Sequence, residues 1–144
     1  MPELNTAERL RAWLRGCPAI QGVNRFGVDF MGQDPTEYAI YSVPTQVAYK
    51  TDILGDVYPA PIQELNYIFA CRQPFSLDIL QSLENLGFFA QVMEWIYARN
   101  TARDFPEIAE GKVVSIMPTL SPYVFEAGGK SGRYQIQLKL TYRR

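Results

Sequence analysis

Between positions 76 and 100 apolar side chains recur at steps of three and four, the longest helical pattern in the chain. Leu77, Leu80 and Leu83, then Phe88, Phe89, Val92, Met93, Ile96 and Tyr97, fall on one face, and Glu84 is the one polar member. Ser76 is placed to cap the first turn and Asp78 to meet the positive end of the dipole, whereas Gly87 predicts a kink or a break. A shorter helix is predicted over 6–15. Asn5 and Glu8 have capping-box spacing, Leu10, Trp13, Leu14 and Cys17 mark a narrow stripe, and Gly16 with Pro18 ends the run. So narrow a stripe suits a helix laid on a sheet, with Trp13 as a core anchor rather than an exposed contact.

Elsewhere the period is two. Phe26, Val28 and Phe30 alternate with Gly27, Asp29 and Met31 before Gly32 and Asp34-Pro35 turn the chain. The denser run Tyr38 to Val43 reads as a strand covered on both faces, and β-favouring residues continue from Val47 to Ile53. Gly55-Asp56 and Pro59-Ala60-Pro61 then interrupt. Because proline donates nothing to a ladder, the arm 52–61 is predicted to lie at an edge or to project from the domain. From Ile62 to Arg72 one face carries Gln63, Leu65, Tyr67, Phe69 and Cys71, the expected core side. Lys112 to Met117 reads as a short strand, Pro118 and Pro122 as the bounds of a connection, and Gly128-Gly129 as a turn. The strictest alternation closes the chain: Tyr134, Ile136, Leu138, Leu140 and Tyr142 against Gln135, Gln137, Lys139, Thr141 and Arg143. These elements define an α+β fold over residues 1–144, a single domain with an antiparallel sheet and helices packed on one face.

Composition narrows the function more than it does the fold. The 144 residues carry 14 basic and 15 acidic side chains, so the basic footprint of a nucleic-acid binder is missing. There is no histidine, which removes the Ser-His and Cys-His nucleophiles and the commonest metal ligand together. The carboxylate pairs Asp52/Asp56 and Glu107/Glu110 lie among Gly or Pro and read as solvated loops. Gly128-Gly129-Lys130 lacks the spacing of a phosphate loop and leads into a strand, not a helix. Cys17 and Cys71 are too few for a disulfide framework and are expected to be reduced and buried. With no leader-like or membrane-length apolar run, a soluble cytoplasmic product is expected, with no cofactor and no catalysis.

One resemblance gives this a direction. The ordered series Phe88-Phe89, Trp95-Ile96, Arg99-Asn100, Phe105-Pro106-Glu107-Ile108, Gly111, Ser115-Ile116 and the closing run from Arg133 to Tyr142 resembles a family of small phage minor capsid proteins, the tail terminators. The likeness covers about 62–144 and departs at Phe105, where leucine is usual, and in a longer Pro-rich arm at 52–61. It implies a virion protein made in the bacterial cytoplasm and placed at the neck. Such proteins form a homo-oligomeric ring, usually a hexamer, that caps the tail tube and docks the head-tail connector, or a sheath where the tail contracts. Genomic DNA passes through such a ring without being specifically bound. On this reading Ile53, Val57 and Tyr58 of the arm, and Gln135, Gln137 and Lys139 of the last strand, are the candidate protein-interface residues, and Trp95 with Val92 and Ile96 fixes the central helix to the sheet. A small ligand- or peptide-binding module without catalysis is the alternative.

Overall fold

Asn5 sets the first element. Its side chain accepts from the Glu8 backbone N–H at 2.9 Å, starting helix α1, Thr6–Leu14, at the expected cap. Leu10, Leu14 and Cys17 are buried, and a short 3₁₀ turn, Pro18–Ile20, completes the segment. The structure, a computed structural model, describes residues 5–20, 25–28, 37–74, 79–128 and 131–144. The expected cap at Ser76, the turn at Asp34-Pro35 and Gly129 of the expected Gly128-Gly129 turn lie outside them, as do the side chains of Leu80, Leu83 and Glu84.

Five strands form the main sheet: β1 (Arg25–Val28), β2 (Glu37–Val43), β5 (Ile62–Pro74), β6 (Lys112–Gly128) and β7 (Ser131–Arg143), in the order β1-β2-β5-β7-β6. The pairs β2–β5, β5–β7 and β6–β7 are antiparallel. At the far edge β1 joins β2 in parallel, a pairing that periodicity cannot announce. Between β2 and β5 the chain makes a separate two-stranded sheet, β3 (Tyr49–Thr51) with β4 (Val57–Pro59). Strand β7 is paired on both sides.

The helices cover one face only. From the strands, Tyr38, Ile40, Tyr67, Phe69, Cys71, Ile136, Leu138 and Leu140 face the buried side of α1 and of α2, Ile79–Ala102. Phe69 and Phe89 meet edge to face at 6.1 Å, and Phe89 lies 6.4 Å from Tyr134, so aromatic quadrupoles orient the helix as well as bury it. Gly87 does not break α2. It sits on the exposed side, and the packing of Phe89, Val92 and Ile96 one turn on outweighs the ~1 kcal/mol a helical glycine costs.

Two further expectations are corrected. Trp95 is only partly buried and packs against Trp13 at a tilt of 57°, ring centroids 4.8 Å apart, with the Arg99 guanidinium 5.8 Å above its ring. It therefore ties α2 to α1, while Val92 and Ile96 reach the sheet. The Trp13 indole is anchored in turn by donating to the Asp104 carbonyl at 2.9 Å. The proline-bounded connection at 118–122 is instead part of one strand, β6, carrying several register shifts against β7. Edge position explains the tolerance. At Ile116 the outward N–H donates to Asn100 Oδ1 (3.0 Å) and the outward carbonyl accepts from Asn100 Nδ2 (2.6 Å). Pro118, two residues on with no shift between, points its donorless nitrogen the same way, so no β7 bond is lost.

Candidate functional site

Among the described residues the β3–β4 hairpin and its approach form the longest stretch that folding leaves exposed, from Gln46 to Pro59. Its root is held from below by Gln63, which is 4% exposed at the start of β5. Gln63 Nε2 donates to the Ala48 carbonyl (2.7 Å) and the Ala60 carbonyl (2.9 Å), and Oε1 accepts from the Ala48 N–H (3.0 Å). The Ala60 N–H also donates to the Ala48 carbonyl, closing the root. A buried amide satisfied three times is a stiff clamp, because releasing any one partner leaves a polar group without water.

The tip is shaped by Asp52. Its Oδ1 accepts from the backbone of Leu54 and of Asp56, each at 2.9 Å, while Gly55 N–H donates to the Asp52 carbonyl and takes φ +87°. Only glycine adopts that angle cheaply. Ile53 and Leu54 therefore occupy the centre of a four-residue turn, positions ordinarily given to Asn, Asp, Ser or Gly. They are 102% and 82% exposed. Val47, Tyr49 and Val57 add exposed apolar area along the arm, and Tyr58 adds it on the opposite face of the hairpin.

Of the candidate residues read from sequence, Ile53, Val57 and Tyr58 are thus brought together on one projecting element. Leu54, equally prominent, was missed, although an Ile-Leu pair between two aspartates in a Gly-containing turn is itself a legible signal. The second group does not stay together. Gln135 is 2% exposed, which takes it off any docking surface and corrects the expectation placed on it. The cause lies in its row of the sheet, where it follows Ala39 and Ala70. Across this row of small side chains Arg133 reaches the Tyr41 ring, its Cζ 4.5 Å from the centroid, and its Nε donates to Gln135 Oε1 at 3.1 Å. Gln137 and Lys139 stay partly open on that face, Lys139 leaning on Glu64 at 3.6 Å.

No cluster of three or more metal-ligating side chains occurs among the described residues. Cys17 is buried and its thiol is pushed up by desolvation, which keeps it protonated and unreactive at neutral pH. No helix among the described residues is long and apolar enough to cross a membrane. No protein-family model matches the chain, and no curated protein matches it. What the arrangement offers is a rigidly rooted arm with an uncovered apolar end.

Proposed function

We propose that the chain is a structural subunit of a homo-oligomeric ring at a phage neck, a tail terminator that caps the tail tube and joins it to the head-tail connector. The observation that carries this reading is the hairpin tip, where Ile53 and Leu54 stand in solvent on a clamped root. Exposed apolar residues on an ordered projection point to a protein partner. The ordered likeness of the second half of the chain to tail terminators supplies the kind of partner, namely copies of itself, the tube protein and the connector. With Gln135 covered, the surface offered to the tube or lumen from the last strand reduces to Gln137 and Lys139.

The test is electron microscopy of the purified chain, alone and with a tail tube protein. The expected result is closed rings, six-fold by the family likeness, seated at tube ends, and tubes of limited length. Tubes that grow unchecked in the presence of the chain, with no ring at either end, reject the proposal.

A further inference from the structure

Beside the hairpin root, at the same end of the sheet, two adjoining depressions of about 460 Å³ and about 290 Å³ lie where α2 hands over to β6. Their floor is Phe105, Ile108 and Val113, and their rim is Arg103, Lys112 and Arg143. The three cations are exposed, and their side chains form no hydrogen bond or ion pair with a described residue. Glu107 is the one carboxylate on the lining. Gly111 belongs to the build: a side chain there would run into the Arg143 carbonyl, so the floor depends on its being bare.

This groove and the hairpin tip are chemical opposites. The tip carries two apolar side chains between two aspartates; the groove carries an apolar floor between three cations. Resting on the ring reading above, we infer that the tip of one copy docks in this groove on a second copy of the chain. Ile53 and Leu54 cover the Phe105 and Val113 floor, and Asp52 and Asp56 face the rim of Lys112, Arg143 and Arg103. The pairing is heterologous, since tip and groove are different surfaces of one chain, and it propagates from copy to copy until a rotation closes it. From Ala48 the arm reaches about 15–20 Å, enough to leave its own subunit. Complementary charge at the rim fixes the register and speeds encounter, while the apolar pair supplies the adhesion.

The experiment is cross-linking of the full chain carrying Leu54→Cys and Val114→Cys, the second at an exposed position on the groove wall, with a short bismaleimide. Cys17 and Cys71 are buried and stay out of the reaction. The expected result is a ladder of dimers, trimers and higher products. Each single-cysteine variant should stop at or before the dimer. Lys112→Glu with Arg143→Glu should cut the ladder about tenfold, and Asp56→Lys in the same chain should restore it. Products no larger than dimers from the double-cysteine chain, or a ladder indifferent to the charge reversal, overturn the inference. The two readings fail separately. Rings seen by microscopy without a tip-to-groove ladder remove this contact and leave the ring, whereas a ladder from open filaments that leave tubes uncapped keeps the contact and removes the terminator role.

Discussion

Two antiparallel ladders in this chain are built on opposite physical terms. The β5–β7 ladder runs over thirteen residue pairs and presents Phe69, Ile136, Leu138 and Leu140, all fully buried under the helices. The β3–β4 ladder has three pairs, and all six of its residues are exposed. A lone two-stranded hairpin is at best marginal in water. This one is held by side-chain hydrogen bonds at its ends, Gln63 at the root and Asp52 at the tip, while Ile53 and Leu54 stay in solvent. The difference teaches where selection for stability stops: the buried apolar residues of β5 and β7 are accounted for by the core, and on the proposed ring reading those of the hairpin are accounted for by a neighbouring copy.

Substitutions can break that contrast at three depths. Phe69→Ala should be the most damaging, costing about 3–5 kcal/mol in chemical denaturation, since it opens a cavity between β5 and α2 that Tyr38 and Phe89 cannot fill without giving up their contacts with Phe88. Gln63→Ala should cost less, about 1–3 kcal/mol, by removing the partners of the Ala48 N–H and the Ala60 carbonyl, while the Ala48 carbonyl keeps the Ala60 N–H. Its signature is local: amide exchange should accelerate through Tyr49–Pro59 while the β5–β7 amides stay protected. Uniform acceleration across both ladders would mean that the hairpin is part of the core's cooperative unit, and the contrast would fall. Smallest is Ile53→Ser with Leu54→Ser, which should leave the melting transition of the isolated chain within about 0.5 kcal/mol of wild type. A clear loss of stability in that double variant would show that the tip serves its own subunit.

Most of the secondary structure was legible because burial here follows periodicity. The alternation from Tyr134 to Tyr142 and from Gln63 to Cys71 sorts core from surface wherever one face meets the helices, and Asn5 announced its helix through a purely local bond. The failures share a tertiary cause. Pro118 breaks a strand only if its nitrogen is needed, and its being at an edge with the outward groups taken by Asn100 is a fact about neighbours far away in sequence. Gly87 weakens a helix only where packing does not compensate. Gln135 looked solvent-facing because a polar residue on a polar face is read that way, yet Ala39 and Ala70 leave room for Arg133 to lie over it. For the candidate site, the prolines and the exposed apolar residues of the arm could be read directly. The groove could not, since Phe105, Val113 and Arg143 come from three separate stretches and meet only in the folded chain.

The long β5–β7 ladder also sets a condition on synthesis. Pro74 pairs with Ser131 and Ile62 with Arg143, so β5 cannot begin to pair on that side until α2 and β6 have been made, and its pairing is complete only at the end of β7. At translation rates of about 5–20 residues per second, the ribosome needs on the order of several seconds to cover that distance. During this interval β5 can pair only with β2, which leaves its other edge bare. The nascent chain is therefore most vulnerable to misassociation after its first half has emerged, and cooler expression or a chaperone that shields that edge should raise the yield of folded protein more than any change to the hairpin.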